Sequence, residues 1–294
     1  MGLRIDGKGH AAKVCEELTT VVEGLASQGI TPGLHVLLVG DDPASQVYVR
    51  SKAKRAHAIG IASDMTRLPD GTSFEDLKAE IERLNADPSV DGILVQLPIP
   101  GLPTREVLDL VAAEKDVDGF HPINAGLLLQ GRPRFVPCTP LGVLSMLDAY
   151  DISTEGKKAL VIGRSDIVGK PMGSLLTHRN ATVTTAHSRT QDLPALVAES
   201  DIVVAALGKE RAISPDWLKQ DAVVIDVGIH RMENGKLTGD VHPEGLEERS
   251  SAYTPVPGGV GPMTIAMLMV NTVQAALLRR GMDSSALGAL IPKV

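Results

Sequence analysis

Aromatic side chains are scarce: three phenylalanines, three tyrosines and one tryptophan in 294 residues. The interior must therefore be aliphatic, and an aromatic residue such as Tyr48 stands out from its surroundings. Cysteine is rarer still. Cys15 and Cys138 lie far apart in no pairing pattern, which excludes a disulfide framework and fits two reduced thiols in a cytosolic protein. No block of Lys or Arg occurs and the formal net charge is −7, which argues against nucleic acid or an anionic membrane as partner. No uninterrupted apolar run has the length of a membrane span. The most apolar stretch, 263–278, is broken by Thr264, Asn271, Thr272 and Gln274 and reads as a buried or interface-forming helix. Met1 is followed closely by charged residues, so no secretory signal is visible and a cytoplasmic location is expected. The eight histidines show no metal-ligand spacing, so no metal is expected.

What is present is a chain long enough for two domains, with 43% apolar residues to build their cores. Apolar positions at helical spacing fill 10–28, and a strand is expected at 34–39. Further helices are read at 45–59, 73–87 and 104–113, and strands at 61–68 and 90–97. Strands alternating with helices make a parallel α/β layer. A Pro-rich passage, 133–140, precedes a helix at 141–150, which sets a domain boundary near Thr139. A second alternation follows: strands at 158–163, 182–187, 201–207 and 222–228, with helices at 169–178, 193–199 and 215–219. This is the pattern of a small doubly wound, Rossmann-type sheet. Asn234-Gly235 suits a type I′ hairpin. A final helix from Pro262 to Arg280 is expected to return to the first domain. The domains are thus 1–138, completed by 263–294, and 139–262.

The second domain turns on Ala-Leu-Val-Ile-Gly163-Arg164-Ser165-Asp-Ile-Val-Gly169. A buried strand breaks at Gly163 and a helix begins at Gly169, so free N–H groups and a positive dipole end meet where a pyrophosphate is held. The G-x-G-x-x-G fingerprint is incomplete, because Ser165 stands in place of its second glycine. A strand-to-helix turn with no ligand is equally compatible with this segment taken alone. The next strand ends Ala186-His187-Ser188-Arg189-Thr190 without the carboxylate that would hold the ribose hydroxyls of NAD. A hydroxyl at Ser188 and the guanidinium of Arg164 suit a 2′-phosphate instead, which favours NADP. Read without that ligand, these are solvated loop residues.

In the first domain Tyr48 and Lys52 are four residues apart and share a helix face, a spacing that also fits a solvated surface pair. Gln96 ends a strand at the carboxyl edge, where parallel sheets bind ligands, although an amide there also serves to tie a loop. Asp116 and Asp118 lie in Lys115-Asp-Val-Asp-Gly119, a sequence that equally makes a solvated turn. Pro257-Gly258-Gly259-Val260-Gly261-Pro262 places bare backbone at the start of the last helix, suited to a flat ligand, a hinge or a linker.

Together these stretches closely resemble the bifunctional methylenetetrahydrofolate dehydrogenase/cyclohydrolase family. The resemblance rests on Tyr48-Val-Arg-Ser-Lys52, Val95-Gln-Leu-Pro-Ile-Pro100 and Lys115-Asp-Val-Asp-Gly-Phe120, then Pro137-Cys-Thr-Pro140, Gly163-Arg-Ser-Asp-Ile-Val-Gly-Lys-Pro171 and Thr254-Pro-Val-Pro-Gly-Gly-Val-Gly-Pro-Met-Thr264. They follow the family order over nearly the whole chain, weakening only after Arg280. Ala113-Glu114 departs from the proline many relatives carry before Lys115. The resemblance implies oxidation of 5,10-methylene-tetrahydrofolate with NADP and hydrolysis of the methenyl product to 10-formyl-tetrahydrofolate. It also implies a place in one-carbon metabolism feeding purine biosynthesis, and a homodimer. By the same likeness Lys52 is the main catalytic group, Gln96 its hydrogen-bond partner, Tyr48 a stacking surface and Asp118 the pterin anchor. Val95, Leu97, Pro257, Gly258, Gly259, Val260 and Gly261 border the folate. Gly163, Arg164, Ser165, Ser188 and Ile229 contact the cofactor.

Overall fold

The computed structural model describes residues 1–294, the side chain of Ala44 excepted. The chain begins with a two-residue strand, β1 (Leu3–Arg4), and continues through α1 (Gly7–Ala26) and β2 (Gly33–Val39). It then passes α2 (Pro43–Ala58), β3 (Ala62–Leu68), α3 (Phe74–Ala86) and β4 (Gly92–Val95). β2 pairs in parallel with both β3 and β4. All seven of its residues are buried, which is why its sequence, apart from His35 bonded to Thr66, is a run of apolar residues rather than an alternating one. Ser73 caps α3 by accepting the Asp76 N–H at 3.1 Å, and Glu75 and Asp76 complement the helix dipole. Leu77, Ile81 and Leu84 then recur at helical spacing as its buried face.

Two short helices, α4 (Thr104–Asp109) and α5 (Pro122–Leu129), lead to α6 (Cys138–Ala149) and the second sheet. There β5 (Lys158–Ile162), α7 (Gly169–His178), β6 (Thr182–Ala186), α8 (Leu193–Ala198), β7 (Ile202–Ala205) and β8 (Ala222–Asp226) alternate as the sequence pattern demands. A hairpin of β9 (His230–Arg231) and β10 (Leu237–Thr238) follows, then α9 (Leu246–Arg249), β11 (Ser250–Tyr253) and the long α10 (Val260–Arg279). The six strands run β1-β11-β8-β7-β5-β6, all parallel. The connections from β5 leave in opposite directions, so the crevice for a dinucleotide opens at the carboxyl ends of β5 and β7.

Four particulars differ from the sequence reading. β1 and β11 extend the second sheet to six strands, and two to four residues of ordinary composition give no periodicity to detect. The segment 215–219 forms only a 3₁₀ turn, Pro215–Trp217. The hairpin turn is not type I′: only Gly235 of its loop has positive φ, +80°, because the five residues 232–236 need a single left-handed position. α5 lies within a Pro- and Gly-containing passage whose composition gives no helical signal.

By length and composition α10 could cross a membrane. Here it is a core helix packed on α1 and α6, with Met263, Met267, Val270 and Val273 fully buried. Its far end returns to the first sheet. Arg279 and Arg280 donate to Asp91 Oδ1 at 2.6 and 2.7 Å, and Asp91 Oδ2 accepts the Gly33 N–H at 3.0 Å. Asp91 is fully buried, so removing its carboxylate leaves two partly buried guanidinium groups without their counter-charge, each keeping only one backbone carbonyl, of Val90 or Ala276. Asp91→Ala is therefore expected to lower stability by about 3 kcal/mol in urea unfolding, with α10 loosening from β2 and β4.

Candidate active site

α2 starts where β2 ends, at the carboxyl edge of the first sheet. Asp42 fixes that start by accepting from the Ser45 N–H and hydroxyl, both at 2.7 Å. One turn on, Tyr48 is exposed with its ring toward the cleft, and Lys52 follows one turn later, half-buried. Register pairs Leu37 of β2 with Val95 of β4, so the residue after β4, Gln96, arrives beside α2. Lys52 Nζ donates to Gln96 Oε1 at 3.0 Å. Gln96 Nε2 donates to the Leu97 carbonyl at 2.7 Å, which turns the amide oxygen toward the lysine.

The turn before α5 sorts its two carboxylates by role. Asp116 is buried and accepts from the N–H groups of Phe120 and His121 and from Asn124 Nδ2, at 3.1, 2.7 and 2.8 Å. It holds the turn. Lys115 is also buried, its ammonium donating to the Leu84 and Asp87 carbonyls at 2.9 and 2.6 Å. Asp118 lies instead beside Lys52. Burial pushes it up to about 6, while the nearby Lys52 ammonium favours its charged form and Asp116 opposes it. The Cys138 thiol donates to the Val117 carbonyl at 3.3 Å, and burial together with the nearby Asp118 carboxylate holds the thiol far above its ordinary range. Cys138, unremarkable in the sequence apart from its Pro137-Cys-Thr-Pro140 setting, thus lies at the floor of the site.

A cavity of about 530 Å³ opens on the neighbouring face of α2. Tyr48 forms one wall and Ile229, from the loop after β8, another. Pro257, Gly258, Gly259, Val260 and Gly261 line its floor, so residues from both domains meet there. Lys52, Gln96 and Asp118 are not among its lining; they form the adjoining cluster, with Tyr48 at the boundary. Asp226 and Arg55, which no sequence motif singles out, also line the cavity, as does Ser51 from the Tyr48–Lys52 stretch. Val95 does not face the cleft: its side chain is 3% exposed and belongs to the apolar cluster under β2 and β4, with Leu97 packed partly against it. At the strand's end Val95 therefore presents only backbone to the edge, while Leu97 keeps part of its side chain exposed.

The dinucleotide turn lies at the other end of the crevice. Gly163 has φ +139°, and a Cβ there would sit 2.2 Å from the Ala206 carbonyl oxygen. A Cβ on Gly169 would sit 2.2 Å from the Gly163 carbonyl oxygen, so helix and strand pack as closely as backbone permits. Ser165 acts locally. Its Oγ accepts the N–H groups of Val168 and Gly169 at 3.2 and 3.3 Å, capping α7 where Val168 cannot. Arg164 and Ser188, after β5 and β6, are both exposed. This cradle with a guanidinium, a hydroxyl and no carboxylate at the end of β6 fits a phosphorylated dinucleotide.

Two family models cover the chain: tetrahydrofolate dehydrogenase/cyclohydrolase, catalytic domain, over residues 5–118, and its NAD(P)-binding domain over 137–280. The chain is 52% identical over 276 residues to the bifunctional protein FolD of Geotalea uraniireducens, covering 94% of this chain and 99% of that one. The crystal structure of the bifunctional FolD methylenetetrahydrofolate dehydrogenase/cyclohydrolase of Campylobacter jejuni superposes with a TM-score of 0.93. It shares 48% identity and covers 95% of this chain and 100% of that one. The Trypanosoma brucei enzyme, solved with NADP cofactor and inhibitor, gives 0.90 at 38% identity, over 95% and 98% of the two chains.

The titration of Asp118 has a consequence for stability. Its folded pKa of about 6 lies above the ordinary carboxylate value, so the folded state binds the proton more tightly than the unfolded state does. Asp118 therefore weakens the fold progressively as pH rises from 4 through 6, with no further change above that. Asp118→Asn is expected to match the parent protein near pH 4 and to exceed it in urea unfolding at pH 7.

Proposed function

Since the chain belongs to the tetrahydrofolate dehydrogenase/cyclohydrolase family, we propose that it oxidises 5,10-methylene-tetrahydrofolate with NADP and then hydrolyses the 5,10-methenyl product to 10-formyl-tetrahydrofolate. The observation that carries this reading is the Lys52–Gln96 hydrogen bond of 3.0 Å beside Asp118, at the edge of a cleft walled by both domains.

NADP, when bound, supplies the acceptor for one hydride. Gly163 and the N-terminus of α7 receive its pyrophosphate, Arg164 and Ser188 its 2′-phosphate, and Ile229 lies against the nicotinamide end. The methylene carbon is flanked by two nitrogens whose lone pairs stabilise the cation left when hydride departs with its electron pair. No proton moves in that step, so the protein's contribution is placement. Asp118 in its carboxylate form accepts from the amino and ring N–H groups of the pterin. Tyr48 gives its face to the flat, partly cationic intermediate, and Gly258, Gly259 and Gly261 allow the ligand to approach bare backbone.

Hydrolysis adds water to the methenyl carbon, opens its bond to one ring nitrogen and releases a proton. Lys52 is the group that exchanges protons with the attacking water and the departing nitrogen, and Gln96 holds its ammonium in place. Residues 1–138 with 263–294 form the folate half and 139–262 the NADP half. A homodimer formed through the nucleotide domain and a cytoplasmic location complete the reading. The family likeness supports the dimer; the reduced thiols and acidic charge balance support the location.

Absorbance of the purified protein with methylene-tetrahydrofolate tests the activity. With NADP, reduced cofactor should form and the methenyl absorption should then decay; no reduced nucleotide with either NADP or NAD contradicts the proposal. Arg164→Ala should reduce the preference for NADP over NAD by about tenfold, the loss of one charged hydrogen bond, and an unchanged preference removes Arg164 from cofactor selection.

A further inference from the structure

Asp240 follows β10 and is fully buried, yet no Lys or Arg is paired with it among the described residues. Its carboxylate instead collects backbone. Oδ2 accepts the N–H groups of Leu207 and Gly208 at 2.6 and 3.0 Å. Oδ1 accepts the Lys209 N–H at 3.0 Å and lies 2.7 Å from His230 Nε2. Leu207, Gly208 and Lys209 form the loop after β7; His230 ends the loop after β8 that carries Ile229. One side chain therefore ties together the two loops at the carboxyl ends of adjacent central strands.

Both loops abut the cofactor crevice. The carbonyl of Ala206, just before Leu207, is the atom that Gly163 of the dinucleotide turn packs against. The other loop sends Ile229 into the cleft cavity. Backbone also comes up against the carboxylate: a Cβ on Gly228 would stand 2.3 Å from Asp240 Oδ1, so only glycine fits there. Asp226 anchors the opposite side of this arrangement. Its Oδ1 accepts the Gly228 and Asp240 N–H groups at 3.0 and 2.9 Å, and its Oδ2 accepts the Val241 N–H at 2.9 Å. A buried carboxylate that pairs with the N–H groups of one loop and the mostly buried imidazole of another costs solvation energy that a purely apolar core would avoid. That cost is offset by fixing two loops at once.

We propose that Asp240, with His230 as its side-chain partner, is a positioning residue for dinucleotide binding, setting the loops 207–209 and 227–230 in the conformation that receives NADP. The inference rests on the NADP assignment above but concerns residues that touch neither the folate cluster nor the reacting atoms. An amide at 240 keeps the shape and turns an NH₂ toward backbone N–H donors, so the loops must part.

The test separates binding from chemistry. Asp240→Asn should weaken NADP binding, measured by titration calorimetry, by about tenfold or more, the scale of losing charge-assisted hydrogen bonds. Its hydrolysis of methenyl-tetrahydrofolate supplied without nucleotide should stay within about twofold of the parent rate. Unchanged NADP affinity overturns the proposal, and equal loss of NADP binding and hydrolysis overturns it as well, by assigning Asp240 a merely structural part. His230 retains some exposure, 21% of its side chain, and gives an independent check should Asp240→Asn not fold. His230→Leu should weaken NADP binding several-fold, while His230→Gln, which can still donate to Asp240, should restore it. Equal affinity in the two His230 variants overturns the proposal. If the parent protein binds no NADP at all, it is the cofactor assignment that fails.

Discussion

The hydrogen bond from Lys52 to Gln96 is the contact on which the site depends, because it joins two elements that no local sequence signal connects. Lys52 comes from a helix and Gln96 from the residue after a strand, 44 positions later. They meet because β2 lies between β3 and β4 in a parallel sheet, so every strand delivers its carboxyl end to the same edge. α2 leaves that edge with its first turn fixed by Asp42, and Gln96 is held with its oxygen outward by its own bond to Leu97. A flexible ammonium thereby acquires a set position, as the proton transfer proposed for it requires.

The second constraint is α10, which completes the first domain after the chain has built the second. Asn271, 1% exposed on that helix, donates to the carbonyls of Val117 and Val136 at 2.8 and 3.0 Å. Val117 immediately precedes Asp118, and Val136 lies two residues before Cys138. The helix thus sets the floor beneath the carboxylate, while its N-terminal residues Val260 and Gly261 line the cleft. A second tie lies at the outer edge of the crevice, where Arg105 donates to Asp166 Oδ2 at 3.0 and 2.6 Å and bridges the two domains beside the dinucleotide turn. Packing, substrate placement and domain arrangement are consequently not separable functions of different residues.

Much of this is legible from residue order. Period-3.6 patterns and short apolar runs, with Ser73 and Gly60 as punctuation, locate the main helices and strands, because a helix buries one face while a central parallel strand is buried on both. Tyr48, Lys52 and Gln96 can be singled out because helix spacing and strand ends are local properties. The different fates of Asp116 and Asp118 are not legible from spacing or composition, although the family likeness picks out Asp118. Their sequence neighbourhoods are nearly identical, and only the fold shows one carboxylate consumed by backbone and the other left beside Lys52. The motif around Val95 points to the ligand, whereas β4 packs that side chain into the core and leaves only backbone at the edge. Ser165 has the look of a defect in a glycine fingerprint; in three dimensions it caps the helix that a glycine would have left uncapped. β1 and β11 escape notice since so few residues carry no period. Asp240 gives no signal of its role, because its partners are backbone groups that no sequence pattern names.

The central claim is that one lysine carries the second reaction at a site shared with the first. It is tested most directly by following reduced nucleotide and methenyl absorption together in Lys52→Met supplied with methylene-tetrahydrofolate and NADP. The account predicts that reduced nucleotide still forms and that the methenyl absorption accumulates and persists. Decay of that absorption at the parent protein's rate would contradict it, and would place the hydrolytic proton transfer on a group other than Lys52.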